Sequence, residues 1–213
     1  MSLIAGIEFR FDLNFQEIDL KETESYLSDI TSKYSDIIFD QQTDIRATLE
    51  DGSLKATLLV LGSLYIAIGE YGSFRSGIDY MINDAKSLKD LVSSKIVKNG
   101  LNEANIMESK RIQCDPDKIR KVLLSIERLE SKKNLAPEEI EKDISKIRTS
   151  VRNICRHLSN EDAGFFVSSI QQKYWPNDRE IPYFIERYNL VVREEEISKS
   201  RLTVLNNQAR RLE

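Results

Sequence analysis

The residues best suited to chemistry in this sequence are Arg152 and His157, five positions apart in the run Arg-Asn-Ile-Cys-Arg-His. A histidine can move a proton close to its own pKa, which lies near neutrality. A neighbouring arginine can stabilise negative charge that develops on a phosphate. The two side chains are therefore candidate catalytic residues for a reaction at a phosphate group.

This run resembles the signature of HEPN ribonucleases, all-helical domains in which an arginine and a histidine assist cleavage at the RNA 2′-hydroxyl. The resemblance implies an endoribonuclease that acts on RNA through Arg152 and His157. Arg148 and Arg156 recur with Arg152 every four positions, so a helix would carry them as one cationic stripe. Five helical positions separate two side chains by about 140°. The catalytic pair can therefore share a face only if the helix ends between them or a second chain contributes.

Each of these features has a second, structural interpretation. A histidine near a helix C-terminus can be a boundary residue whose charged form is favoured by the helix dipole. Arginines that flank an apolar stripe can be a solvated face that determines which helices pair. If the cationic stripe is functional, Arg148 and Arg156 contact RNA or a protein partner. If it is a solvated face, the two arginines are structural.

No other catalytic or metal-binding signature is present in the sequence. A single histidine makes a histidine-based metal site very improbable. Cys114 and Cys155 have neither zinc-ligand spacing nor a disulfide framework, so we expect two reduced, buried thiols. The sequence thus predicts neither a metal nor a cofactor.

Aromatic residues are concentrated around Pro176. Seven of the 17 aromatic residues fall in this stretch: Phe165, Phe166, Tyr174, Trp175, Tyr183, Phe184 and Tyr188. They form a core where two helices meet, or some of them are exposed. In the second case Trp175 and Tyr183 are anchors for a protein partner, because Trp and Tyr are favoured at binding hot spots.

Charge is distributed unevenly along the chain. The net charge of −4 argues against a nucleic-acid binder that uses its whole surface. Residues 1–109 carry 10 basic and 18 acidic side chains, whereas residues 110–156 carry 13 basic and 8 acidic side chains. The longest apolar run, 56–69, falls short of the roughly 20 residues of a membrane span. We therefore expect a cytoplasmic protein without a membrane-spanning segment.

The first hundred residues predict a small α+β domain over 1–100, with helices covering a sheet. Period-two alternation predicts a strand at 7–13 and a hairpin through 45–58 whose turn is Asp51-Gly52. Further elements are predicted from caps and apolar spacing: a helix from Asp19 to about Tyr34, a short strand at 36–40, a helix at 62–71 and a helix that Ser73 caps and Asn99-Gly100 closes.

From residue 111 the pattern predicts a four-helix bundle-like region that extends to 213. Asp115 is predicted to cap the first helix with Pro116 at its first position, and Pro137 begins the second. The third helix is predicted to run from Ser159 or Asn160 to Trp175-Pro176, and the fourth to begin at Asp178. The second helix carries a narrow apolar stripe: Ile140, Ile144, Ile147, Val151, Ile154 and Leu158. This spacing favours packing against one partner helix, in this chain or in a second copy, and so allows a homodimer.

The order of elements in residues 4–98 resembles the TRADD-N-like α/β adaptor domains of bacterial defence and signalling proteins. The resemblance rests on the strand at 7–13, the helix, the hairpin through Asp51-Gly52-Ser53-Leu54 and the apolar helix that follows. It implies a scaffold that joins proteins and has no catalytic residue. The leading hypothesis is accordingly a non-enzymatic interaction or adaptor protein of a bacterial cytosol, and the alternative is the HEPN-like endoribonuclease.

Overall fold

The computed structural model describes residues 1–12, 19–50, 54–68, 73–99, 101–132 and 136–176. The predicted α+β class is confirmed. The strands are β1 (Ser2–Phe11), β2 (Asp44–Glu50), β3 (Lys55–Gly62) and β4 (Ile106–Arg111). The helices are α1 (Leu20–Ile38), α2 (Leu64–Ile68), α3 (Phe74–Lys98), α4 (Asp115–Ser131), α5 (Pro137–Cys155) and α6 (Asn160–Ser168). The predicted Asp51-Gly52 turn, Tyr183 and the helix from Asp178 lie outside the described residues.

The four strands form one antiparallel sheet in the order β2-β3-β1-β4. Alternation along β3 leaves Ala56, Leu58 and Val60 buried, as expected for a strand with one covered face. Helices α1 and α3 pack on the sheet.

The Glu8 carboxylate of β1 lies beside two lysines of the neighbouring strands. It forms ion pairs with Lys55 of β3 at 3.3 Å and with Lys110 of β4 at 2.7 Å. The hydrogen bond with Lys110 lowers the pKa of Glu8 most, and the hydrogen bond with Lys55 lowers it further.

One prediction about the α+β part is wrong, and one strand of the sheet was missed. The strand at 36–40 does not form, because α1 continues to Ile38 and keeps its inward face with Ser35 buried. A short apolar run such as Ile37-Ile38-Phe39 fits a helix end as well as a strand. Strand β4 was not predicted, since its polar sequence lacks an apolar alternation. It forms through pairing with β1, in which Ile7 lies opposite Arg111.

The start of α4 also differs from the prediction. Cys114, not Asp115, is the N-cap residue, and Asp117 accepts a hydrogen bond from the Cys114 N–H at 2.9 Å. Asp115 is buried instead, where it accepts from the Leu3 N–H of β1 at 2.9 Å and from Lys118 at 2.8 Å. The carboxylate that was expected to cap a helix therefore joins that helix to the central strand.

Helix α5 has the predicted start at Pro137 and buries most of its apolar stripe. Val151 is fully buried, Ile147, Ile154 and the following Leu158 are buried, and Ile144 is partly buried. Ile140, near the N-terminus, is 37% exposed. The stripe is thus covered within this chain from Ile144 onward.

Helix α6 ends earlier than predicted. It stops at Ser168, and a separate 3₁₀ turn forms at Gln172–Tyr174. The Ser168 and Ser169 hydroxyls both donate to the Phe165 carbonyl, at 2.9 and 2.7 Å. Such local side-chain bonds compete with continued helical pairing.

One continuous core of buried side chains includes residues of the sheet, of α1 and α3, and of α4 to α6. Asp162 of α6 lies where these parts meet, and it accepts hydrogen bonds from Ser2 of β1 at 2.6 Å and from the Tyr65 N–H of α2 at 3.0 Å. The α+β and helical segments therefore pack directly on each other. Across the described ranges, no helix has the length and apolar character needed to cross a membrane.

Candidate functional site

Helices α4 and α5 pack side by side and leave a groove of about 500 Å³ between them, the α4–α5 groove. Its floor consists of branched aliphatic side chains, each less than 10% exposed: Val122, Leu129, Ile147 and Ile154. These residues alternate every three or four positions with exposed polar residues on each helix. The same periodicity that builds the core therefore also brings a polar rim to the groove.

The rim of the α4–α5 groove is cationic. Five basic side chains line it: Lys118, Lys121 and Arg128 from α4, Lys132 directly after α4, and Lys146 from α5. The first four are separated by three, seven and four positions, which keeps them on one face of the helix. Ser125, Ser150 and Asn153 add neutral hydrogen-bonding groups to the lining.

Part of this positive charge is compensated by carboxylates. Lys118 pairs with Asp115 at 2.8 Å, and Asp143 pairs with Lys146 at 3.0 Å and with Lys132 at 3.3 Å. Hydrogen bonds from Lys146, and then from Lys132, lower the pKa of Asp143, which therefore stays ionised at neutral pH. Five cations against these two carboxylates leave a surplus of three positive charges.

Lys121 and Arg128 carry the uncompensated part of the charge. Both are exposed and lie seven positions apart on α4, which is two helical turns. Neither forms an ion pair with a carboxylate among the residues for which the structure gives side-chain positions, although Lys121 lies close enough to Asp117 to help lower the pKa of that carboxyl. An anionic group above this part of the groove would meet two charged donors without displacing an existing ion pair.

The arginines predicted from the sequence have other surroundings. Arg148 points to the 3₁₀ turn, where its Nε donates to the Lys173 carbonyl at 2.9 Å and its guanidinium pairs with Glu141 at 3.3 Å. Arg152 is half-buried and Arg156 is exposed. Arg148, Arg152 and Arg156 are not among the residues that line the α4–α5 groove.

His157 lies just beyond the end of α5. The helix ends at Cys155, and the His157 N–H donates to the Ile154 carbonyl at 2.9 Å in the turn that follows. Its side chain is exposed, whereas that of Arg152 is half-buried. The helix therefore ends between the two candidate catalytic residues, which is one of the two conditions that the sequence required for them to share a face.

The aromatic residues divide between core and surface. Phe166 and Tyr174 are almost fully buried, and the Tyr174 hydroxyl donates to Glu130 at 3.0 Å. Trp175 is 39% exposed, but its indole N–H donates to the Ile170 carbonyl at 3.1 Å. Trp175 is therefore held against its own segment, with part of its ring available to a partner.

The thiols are placed in the interior. Cys114 and Cys155 are both free and buried. Burial raises the pKa of each thiol to about 12, so both are protonated at neutral pH. Among the described residues, no group of three or more His, Cys, Asp and Glu side chains is arranged to hold a metal ion.

Compared with known proteins, the chain matches no protein-family model, no curated protein and no solved structure. The TRADD-N-like and HEPN resemblances therefore stay predictions from the sequence.

The α4–α5 groove lies in the basic segment of the chain but is lined by other residues than the predicted arginines. The basic excess in 110–156 predicts a cationic surface, and the spacing of Arg148, Arg152 and Arg156 predicts that these arginines belong to it. The groove instead depends on basic residues of α4 and of the position directly after it, spaced three, seven and four positions apart beside the apolar stripe of that helix. The spacing of these basic residues is visible in the sequence and indicates that they share one face of α4. The groove itself forms only because α5 packs against α4.

Proposed function

We propose that this protein is a protein-binding adaptor without catalytic activity of its own, and that it binds its partner in the α4–α5 groove. The observation that carries the proposal is the combination of an aliphatic floor with a cationic rim in one groove. Protein interfaces commonly join an apolar centre to a polar rim that provides specificity. The aliphatic stems of the rim lysines extend the apolar surface toward the floor.

The chemistry of the groove favours protein over nucleic acid. Proteins that bind single-stranded nucleic acid stack bases on aromatic side chains. The described lining of the α4–α5 groove contains no aromatic residue. A phosphate backbone would also gain nothing from Val122, Leu129, Ile147 and Ile154. A peptide with both apolar and acidic side chains would use the floor and the rim together.

Site-specific photo-crosslinking tests this proposal. A photo-crosslinking amino acid is placed at Ser125, an exposed residue of the groove whose hydroxyl donates to the carbonyl four residues before it. Irradiation in the cells from which the protein comes is expected to give a discrete protein adduct. The adduct should decrease at least several-fold when Lys121 and Lys146 are both changed to glutamate.

Ser87 provides the matched control position. It is exposed on α3, and its hydroxyl makes the same type of bond to the Asn83 carbonyl. The adduct should be absent when the crosslinker is placed at Ser87. Identical adducts from both positions, or a groove adduct that ribonuclease removes, would contradict the proposal.

An RNA-cleaving activity is the second candidate, and the exposure of His157 favours it. His157 lies two residues beyond the end of α5, the helix that lines one side of the cationic groove. In this alternative His157 moves the proton and Arg152 stabilises charge on the phosphate, as the HEPN resemblance implies.

Labelled single-stranded RNA separates the two candidate functions. With an adaptor, we expect the RNA to remain intact over hours, and the protein and its His157→Ala variant to behave identically. Cleavage by the unmodified protein that is lost in His157→Ala, while Lys98→Ala retains it, would replace the adaptor with the nuclease. Lys98 is a suitable control because it is exposed on α3, away from the groove lining.

A further inference from the structure

We infer that the partner segment bound in the α4–α5 groove is an acidic amphipathic α-helix. This inference rests on the proposed function and adds the chemical class of the ligand. It is carried by charge complementarity, by the length of the cationic rim and by the absence of a strand edge at the groove walls.

Charge complementarity comes first. The groove has a surplus of three positive charges, and Lys121 and Arg128 form no ion pair in the described part of the chain. A neutral or basic partner would leave these charges unpaired or would be repelled. A partner with carboxylates would pair with them at a partly dehydrated surface, where ion pairs are stronger than in bulk water.

The walls of the groove determine which backbone conformation of the partner can bind. Both walls are α-helices, whose backbone N–H and C=O groups are already paired along their length. An extended peptide would find no strand edge to pair with, which excludes recognition by strand addition. A helix satisfies its own backbone and can lie in a furrow between two helices, where its side chains contact floor and rim.

The rim defines the length and spacing of that helix. From Lys118 to Lys132, the residue that follows α4, the rim extends over fourteen positions, which corresponds to about 21 Å at the rise of a helix. A partner of about four turns would cover it. Carboxylates seven positions apart on such a helix match the separation of Lys121 and Arg128, and apolar residues between them would face Leu129 and Ile147.

Fluorescence anisotropy with a designed peptide tests the inference. The labelled probe is an 18-residue peptide (about five turns) with glutamates at positions i and i+7 and leucines at i+3 and i+4. A scrambled peptide of the same composition and a peptide with glutamine in place of glutamate serve as ligand controls. We expect saturable binding of the acidic probe, about tenfold weaker binding of both control peptides, and a decrease in affinity as salt rises.

Protein variants locate the binding in the groove. The double variant Lys121→Glu, Arg128→Glu is expected to weaken binding of the acidic probe at least tenfold. The matched double variant Lys33→Glu, Lys98→Glu changes the net charge equally at exposed positions of α1 and α3, and should bind as the unmodified protein does. Circular dichroism confirms that each variant is folded, and the ligand controls test the inference without altering the protein.

Three results would overturn the inference: equal affinity for the scrambled peptide, unchanged affinity in the groove variant, or displacement of the acidic probe by an equimolar single-stranded RNA. Its failure can be told apart from failure of the adaptor proposal. If the acidic probe does not bind but the Ser125 adduct still depends on Lys121 and Lys146, the groove binds a protein that is not an acidic helix. If both signals are lacking, the adaptor proposal fails as well.

Discussion

Replacing Asp162 by alanine is expected to lower the free energy of unfolding by about 3 kcal/mol or more. The carboxylate is fully buried and accepts four hydrogen bonds: from the hydroxyls of Ser2, Ser63 and Ser159, and from the Tyr65 N–H. Its removal leaves the fully buried Ser2 hydroxyl and the partly buried donors of Ser63, Ser159 and Tyr65 without this acceptor. A buried donor without an acceptor costs more free energy than the net value of the bond itself. The substitution also takes a negative charge from the first turn of α6, where the helix dipole favours one.

Urea denaturation followed by circular dichroism measures this loss. The matched control is Glu161→Ala, which removes the neighbouring carboxylate from the same helical turn at an exposed position. We expect that variant to lose no more than about 1 kcal/mol. Equal stability of the two variants would show that the hydrogen bonds of Asp162 do not hold the segments together.

Replacing Phe166 by alanine is expected to cost about 3–5 kcal/mol. The Phe166 ring is fully buried in α6 and stacks on Phe74 of α3, with ring centroids 5.9 Å apart. Because protein interiors are closely packed, truncation removes the contacts of the ring and leaves a cavity that the surrounding side chains fill only partly. The same urea experiment gives the magnitude.

Phe165→Ala is the matched control for this second substitution. Phe165 is the adjacent residue, makes edge contacts with Tyr65 and Phe74, and is only half-buried. Its truncation should cost less than that of Phe166, because part of its apolar surface is already in contact with water. A larger loss for Phe165 than for Phe166 would contradict the packing described here.

Both core substitutions also test whether the two segments unfold together. Asp162 and Phe166 of α6 contact β1, α2 and α3, so their effects should appear in one cooperative transition with an unchanged denaturant slope. Two separate transitions, with only one of them shifted, would show that the α+β and helical segments are independently stable.

Direct packing of the two segments suits the proposed adaptor. The α4–α5 groove lies on helices that are anchored to the sheet, since Asp115 of α4 bonds to β1 and Arg120 of α4 pairs with Asp79 of α3 at 2.7 Å. A preorganised groove binds a partner without the entropy cost of ordering its own walls. Stability of the core and affinity of the groove are therefore linked through the position of α4.

Much of the local structure could be predicted because local signals are strong. Period-two alternation identified β2 and β3, Ser73 was identified as the cap of α3, and Pro137 marked the start of α5. The buried face of α4 followed from its apolar spacing: Ile119, Val122, Leu123, Ile126 and Leu129. In each case the signal lies within a few residues of the feature that it determines.

Two of the errors, at β4 and at Asp115, occur where distant residues decide the outcome. Strand β4 is polar and forms only because β1 offers it a pairing edge. The sequence around Asp115 is typical of a helix cap, yet its carboxylate is buried and accepts a hydrogen bond from the Leu3 N–H of β1. Neither partner is near in sequence, so no local pattern could reveal the contact.

By itself, then, the sequence determined the α+β class, the apolar faces of the helices and the basic character of residues 110–156. The tertiary structure decided which basic residues share a surface, because that depends on how α4 and α5 pack rather than on their spacing within one helix. It placed Arg148 against the Lys173 carbonyl and left Lys121 and Arg128 at the rim of the groove. A binding groove is a property of two elements brought together, so its composition could be expected from the sequence but its geometry could not.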